Sequence, residues 1–372
     1  MLTYGYIRRL QPRLIPYTVE PQHLKPPETH WKRIILAALI LALFAGLLYY
    51  RLRQSPFRWT DFQRTFVGVD WAWFTGALLL IYLSYAGRAL RWRVMLRPLK
   101  PNPSFWNINS ATVIGFTAVF LLGRPGELVR PYLIAVRERL SFSSQMAAWL
   151  LERIFDLLFV LLIFGYALMR IRSTDAELGP SLRWVFGAGG YLITGIGIIC
   201  LLVLIAFRNF SGSAQQRVLA AISFLPEAFR QRVAHALESF SQGMEVTRNR
   251  VNLIWLLVYS ALEWAVIAAS LYSTFRAFPV TRHLLLIDVL VFLGFIAFGS
   301  IVQIPGLGGG VQVVSIVVLT QLFGLTFESA AGMALVIWLL SFVAIVPIGL
   351  PLALHQGINW RKLKQLKEEA AL

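Results

Sequence analysis

Nine apolar blocks, most of them close to the length of a helix that crosses a bilayer, constrain this chain more than any other feature. They run Ile34–Tyr50, Trp71–Gly87, Phe105–Gly123, Ile154–Met169, Trp184–Phe207, Val251–Tyr272, Leu284–Ile304, Val311–Gly324 and Met333–Leu354. About 20 apolar residues carry a helix across the hydrocarbon of a bilayer. Of the 372 residues 57% are apolar and 14% charged, whereas a soluble domain carries about 25% charged residues. The expected fold class is an all-α polytopic membrane protein. Disorder, a collagen-like fibre and a disulfide scaffold are excluded, and Cys200, the single cysteine, has no intrachain partner.

The basic residues set the expected orientation. Lysine and arginine number 35 against 18 acids, a net charge of +17. They bracket the apolar blocks, as the positive-inside bias requires, so anionic lipid headgroups are the expected partner and nucleic acid is not. Residues 1–33 form a polar N-terminal segment with Arg8, Arg9, Arg13, Lys25, Lys32 and Arg33, which reads as cytoplasmic. The first block then reads as a retained span rather than a cleaved signal peptide. Nine simple spans would put Arg130, Arg137, Arg139 and the arginine-bearing segment 208–250 outside, against that bias. The conflict disappears if Phe105–Gly123 enters, turns at Gly123-Arg124-Pro125-Gly126 and leaves on the same side, with Leu284–Ile304 and Val311–Gly324 forming a second such hairpin. The expectation is six full transmembrane helices, two re-entrant broken-helix hairpins, and both termini cytoplasmic at the plasma membrane, including the basic tail 356–372.

The two Pro-Gly pairs, 125–126 and 305–306, mark a possible internal repeat. Sliding the chain so that one pair falls on the other also lays Trp71 on Val251 and 154–169 on 334–349, which suggests an inverted repeat within a core domain 34–355. Interrupted apolar segments at matching positions of such halves point to a transporter's midplane site. The insert 208–250 reads as an amphipathic interfacial helix after Pro226, or as a soluble hairpin packed on the bundle. It is too short for a catalytic domain.

Charges in apolar surroundings cost about 2.5 kcal/mol or more each and mark functional sites by default. The first cluster is Gly123-Arg124-Pro125-Gly126-Glu127-Leu128-Val129-Arg130, where Gly123, Pro125 and Gly126 are hinges that break the helix. Glu127 is placed to pair with Arg130, and Arg124 to meet an anion beside a fresh helix N-terminus. The second is Glu152-Arg153-Ile154-Phe155-Asp156. Glu152 and Asp156 share a helical face, either lining an inner entrance or acting as helix-start acids that favour the macrodipole. The third is Gln303-Ile304-Pro305-Gly306-Leu307-Gly308-Gly309-Gly310-Val311-Gln312. Here Pro305 is a hinge, and Gly306, Gly308, Gly309 and Gly310 let backbone approach a ligand. It matches neither a dinucleotide fingerprint nor a Walker loop. Glu263 either faces a polar cavity or pairs with an arginine. Histidines 23, 30, 235, 283 and 355 have no metal-ligand spacing, so no metal and no cofactor is expected.

These three motifs, in this order, resemble the lysylphosphatidylglycerol synthase-type transmembrane family, or flippase-like domain proteins, over roughly residues 34–355. The resemblance implies a membrane bundle with re-entrant helices that moves anionic or aminoacylated lipids, or lipid-linked glycans, between leaflets. Two positions depart from the family pattern: Gln312 stands where a glutamate is common, and Trp338 where an arginine follows. The aminoacyl-transfer chemistry of the full synthases is not expected of this sequence. The resulting expectation is a lipid translocase, not an enzyme. Its substrate-binding residues are Arg124, Glu127, Arg130, Glu152, Arg153, Asp156, Gly306, Gly308, Gly309, Gly310 and Gln312. A homo-oligomer or a lipid-modifying enzyme is the expected protein partner, and the alternative is a membrane transferase or an accessory subunit acting on a lipid carrier.

Overall fold

The computed structural model describes residues 57–172, 249–300, 303–304, 306 and 308–357, with scattered positions between 193 and 246. The expectations for 1–33, Ile34–Tyr50, Trp184–Phe207, most of 208–250, Pro305 and the tail from 358 onward fall outside these residues.

Helices form where apolar runs meet capping side chains. After α1 (Trp59–Arg64), α2 (Trp71–Leu96) starts at Asp70, whose carboxylate accepts from the Ala72 and Trp73 amides at 3.0 and 3.4 Å. Ser104 caps α3 (Phe105–Leu122). A 3-10 turn, Arg124–Leu128, leads into α4 (Val129–Glu138) and then the long α5 (Phe142–Arg172). The second series comprises α6 (Arg250–Ala277), capped by Asn249, α7 (Leu286–Gly299), α8 (Gly310–Gln321) and α9 (Phe327–Trp338), capped by Thr326. A π-helical turn, Leu339–Val343, joins α9 to α10 (Val346–His355). The two-residue strands β1 (Gln303–Ile304) and β2 (Gly308–Gly309) pair antiparallel between α7 and α8, with Gln303 opposite Gly309.

Three helical runs, Phe105–Leu122, Arg250–Ala277 and Phe327–His355, are long and apolar enough to cross a membrane. By contrast α7 and α8, with 14 and 12 residues, reach only about 21 and 18 Å at 1.5 Å per residue, short of a hydrocarbon core of about 30 Å.

Helix boundaries repeat along the chain. Trp71, Phe105, Val129 and Phe142 open the helices of the first series and Arg250, Leu286, Gly310 and Phe327 those of the second, in the same order and at a nearly constant offset. Packing repeats as well. The first half's α3 lies against the last helices of the second half, while α7 of the second half lies against α5 of the first. The equivalent helices α2 and α6 pack on each other in opposite directions. The Asp70 amide meets the Ala277 carbonyl at 2.8 Å and the Ser270 hydroxyl the Ala77 carbonyl at 2.9 Å, and further along Arg91 meets Ser260 at 3.2 Å.

Two helices outrun the apolar blocks that predicted them. α2 continues past Gly87 to Leu96, and α5 begins at Phe142 rather than Ile154. Arg88 and Arg91 therefore lie inside α2. Glu152 and Asp156 lie mid-helix, so the helix-start reading of these acids does not apply. Two apolar cores flank this charged level. One gathers Trp92, Met95, Ile108, Ile134, Leu151 and Leu256; the other gathers Phe275, Phe292, Leu319, Met333 and Ile337.

Candidate functional site between the two bends

The site begins with the bend after α3. Gly123, at φ 69°, ends the helix, and Pro125 sits in the first turn of the 3-10 segment. The segment folds back so tightly that a Cβ on Gly126 would overlap the Ala118 carbonyl. A Cβ on Gly115 would lie 2.6 Å from the Arg130 Cβ, so this glycine lets α4 press against α3 and fixes the Arg130 backbone.

The bends of the two halves meet. The Gly306 amide donates to the Phe120 carbonyl at 2.9 Å, and Arg124 Nη2 donates to the Ser300 carbonyl, where α7 ends, at 2.9 Å. Gln312 closes the second loop by accepting from the Gly309 amide at 2.7 Å. Gly308 and Gly309 are occupied in the short β pairing, and Gly310 opens α8. Among the described residues of this loop and α8, it is Val311 that lines the cavity below.

That cavity has a volume of about 410 Å³ and is lined by Arg88, Arg124, Glu127, Arg130, Arg153 and Asp156, with Trp149 and Trp264 among its apolar walls. It falls within the range of small-molecule pockets. Behind these residues lies a buried ionic lattice. Arg91, fully buried, places Nη2 at 2.7 Å from Glu152 Oε1 and Nη1 at 2.6 Å from Asp156 Oδ1 and 3.2 Å from Glu263 Oε2. Glu152, also fully buried, takes Arg130 in a bidentate pair. The Arg130 guanidinium stacks 4.2 Å from the Trp92 ring centre, a cation–π contact. Arg88 reaches Glu263 Oε1 at 3.0 Å and lies 4.8 Å from the Phe116 ring centre. Arg153 touches Glu152 at 3.4 Å and Asp156 at 3.3 Å, with 36% of its side chain exposed.

Three sequence expectations change. Glu127 pairs with Arg124 at 2.6 Å, not with Arg130. The reason is geometric: Arg124 and Glu127 share a 3-10 turn, in which positions three apart eclipse, whereas Arg130 lies beyond the junction with α4. Arg130 instead pairs with Glu152. Glu152 is the buried centre of the lattice rather than a residue at an entrance. Arg124, Glu127, Arg130, Arg153 and Asp156 do come together at one cavity. The sequence reading missed Arg88 and Arg91; their spacing of three on the end of an apolar block was the available signal. It left Glu263 between two roles, and the ion-pair role is the one observed.

Outside this site, Glu138 ends α4 in a polar knot with Lys100 Nζ at 2.7 Å, Asn107 Nδ2 at 2.7 Å and the Ser104 amide at 3.3 Å. Burial alone would raise its carboxyl; these donors outweigh burial and hold it below the usual carboxylate range. Among the described residues, no group of His, Cys, Asp and Glu is arranged to hold a metal ion.

Known proteins add two likenesses. The chain is 23% identical over 253 residues to glycosyltransferase AglD of Haloferax volcanii, an alignment covering 63% of this chain and 40% of that protein. The chain thus covers well under half of that relative's length. No solved structure matches it. The model of the lysylphosphatidylglycerol synthase TM region matches residues 33–349, most of the chain and all three charged motifs. With its apolar helices and its ordered motifs, the protein belongs to the lysylphosphatidylglycerol synthase transmembrane-region family of membrane proteins.

Proposed function

We propose that this protein moves a lipid between leaflets: an anionic or aminoacylated phospholipid, or a lipid-linked glycan. The observation that carries the reading is the cavity where the two bends meet, which four arginines face. A purely structural ion-pair lattice needs no cation on a cavity wall; here Arg88, Arg124, Arg130 and Arg153 all reach one. Charges at such depth are costly and persist where they bind or conduct something. In this reading α3–α4 and α7–α8 are re-entrant hairpins of an inverted repeat, in a plasma-membrane protein of six full spans with cytoplasmic termini. Arg88 and Arg153 receive the headgroup phosphate, Arg124 stands at the bend, and Arg91 and Glu152 keep the lattice rigid. Movement is then downhill or ion-coupled, and a homo-oligomer or a lipid-modifying enzyme is the natural protein partner.

The test is reconstitution into liposomes with headgroup-labelled lipid and a membrane-impermeant quencher. The wild type is expected to expose inner-leaflet label to the quencher, and Arg153→Gln to slow that exposure at least about tenfold, a loss of about 1.4 kcal/mol of interaction. A folded Arg153→Gln protein working at the wild-type rate would remove the site. A transferase reading draws support from the name of the Haloferax relative. It predicts sugar or aminoacyl transfer to a lipid carrier with no change in leaflet accessibility, so the same liposomes separate the two.

A further inference from the structure

Glu263 is the least secured of the buried acids around the cavity. It sits at the middle of α6 with 1% of its side chain exposed, 3.0 Å from Arg88 Nη1 and 3.2 Å from Arg91 Nη1, yet neither of its oxygens accepts a hydrogen bond. Its neighbours are better held. Glu152 accepts hydrogen bonds from Arg91 and Arg130, and Asp156 accepts one from Arg91 at 2.6 Å. Asp156 therefore stands closer to Arg91 Nη1 than Glu263 does, which leaves Arg88 as the principal cation of Glu263. Arg88 also lines the cavity.

The helices α2, α5 and α7 pack on α6. From α2 come Arg88 and Arg91; from α5 come Asp156 and Glu152, which both draw on Arg91. The one ionisable residue of α7 is Asp288, tied to the Leu285 amide at the start of that helix. Among the described residues no further cation lies within ion-pair distance of Glu263. We infer, resting on the lipid-translocation reading, that Glu263 is a proton-binding site linked to the headgroup. When an anionic headgroup draws Arg88 away, Glu263 takes up one proton, so lipid and proton are bound together.

The linkage follows from competition for one guanidinium. A phosphate that engages Arg88 leaves Glu263 as a buried carboxylate with only its shared contact to Arg91. Such an unmatched charge is costly, and a proton removes the cost. The proton comes from water and ends on a Glu263 oxygen, while the phosphate takes over the Arg88 ion pair. One negative charge and one positive charge enter together, so a singly charged headgroup binds without changing the net charge of the site. Acids within membrane spans recur as proton carriers. Because linkage is reciprocal, a proton that follows the lipid must also tighten lipid binding.

The experiment uses the full chain in phosphatidylcholine nanodiscs, in weakly buffered solution with a pH indicator, titrated with short-chain phosphatidylglycerol. It is run at about pH 7, where ordinary carboxylates are ionised and this phosphodiester has no titrating group of its own. The wild type is expected to take up about one proton per lipid bound, and none with short-chain phosphatidylcholine. Bound lipid, counted by native mass spectrometry, should fall by up to about tenfold per pH unit as pH rises, the dependence of a single linked proton. In Glu263→Gln, which keeps the volume and cannot ionise, both the uptake and the pH dependence should disappear. Arg88→Gln removes the cation for which headgroup and carboxylate compete and should abolish the uptake too. The wild-type proton count stands by itself if neither variant folds. Lipid binding without uptake in the wild type, or undiminished uptake in Glu263→Gln, would overturn the inference. Soluble glycerophosphorylglycerol should cause no uptake; full uptake from it would make the ligand a free phosphodiester and overturn the lipid identity. Leaflet movement without uptake sinks this inference alone, whereas uptake without movement supports it and sinks the transport reading.

Discussion

Removing the carboxylate of Glu152 should be among the most damaging single changes in this protein. Its side chain is fully buried, receives Arg91 at 2.7 Å and holds Arg130 by two hydrogen bonds. In Glu152→Gln, Arg91 still has Asp156 and Glu263, but Arg130 loses its charge partner and keeps one neutral amide acceptor and its stacking on Trp92 and Phe116. A buried charge stripped of its partner costs about 3–5 kcal/mol, whereas replacing both partners by apolar groups of similar size is often nearly neutral. Glu152→Gln should therefore lose about 3–5 kcal/mol. Arg130→Met should lose less, because Arg91 continues to neutralise Glu152. The double variant Glu152→Met/Arg130→Met should be more stable than the sum of its singles by at least about 1 kcal/mol. Denaturant unfolding in mixed micelles, followed by tryptophan fluorescence, measures all four proteins. Singles within about 0.5 kcal/mol of the wild type, the range of ordinary surface substitutions, would refute the lattice as the element that fixes the helices around the cavity. Strict additivity would refute it equally.

Other expectations concern single positions. Gly126→Val should prevent normal folding or lower the melting temperature sharply, since a Cβ there overlaps the Ala118 carbonyl; a wild-type melting curve would mean that the bend is not as tight as described. Arg124→Gln should cost under about 1 kcal/mol of stability, because the Arg124 side chain is 47% exposed, yet it should slow lipid movement. Normal movement would take Arg124 out of the site. For Glu138 the folded carboxyl is lowered, so its contribution is fully present above the ordinary carboxylate value of about 4.3 and is lost as pH falls through the lower, folded value. The melting-temperature gap between wild type and Glu138→Gln should stay constant from neutral pH to about pH 5 and close in stronger acid. A gap that survives into strong acid would contradict the assignment.

The bends were legible because proline and glycine interrupt apolar runs in few ways, so Gly123-Arg124-Pro125-Gly126 and Gly306 through Gly310 announced their positions. The offset between them was legible for the same reason, and the helix starts repeat it. The pairing within the site was not. Glu127 and Arg130 look matched on an α-helix, and only the 3-10 turn turns Glu127 toward Arg124. Nor did hydropathy reveal where α2 and α5 run on: Arg88, Arg91 and Glu152 lower the local average and so look like chain outside the membrane. Their charges cancel across helices, Arg88 and Arg91 against Glu263 on α6, and Arg91 and Arg130 against Glu152 on α5. No window along one segment can register that. Arg91 is the clearest instance, since every one of its partners lies at least 61 positions away.

The account stands on two bends that touch at one charged cavity, and a cross-link tests this most directly. In a chain carrying Cys200→Ser, cysteines replace Arg124 and Ser300, positions now joined through the length of the arginine side chain by a 2.9 Å hydrogen bond to the Ser300 carbonyl. Because an arginine side chain separates the two backbones, a short bismaleimide rather than a direct disulfide, whose Cα atoms must lie within about 7 Å, should join them within a single chain in native membranes. Two thiols that label freely from bulk water and are never bridged by the short reagent would contradict the account.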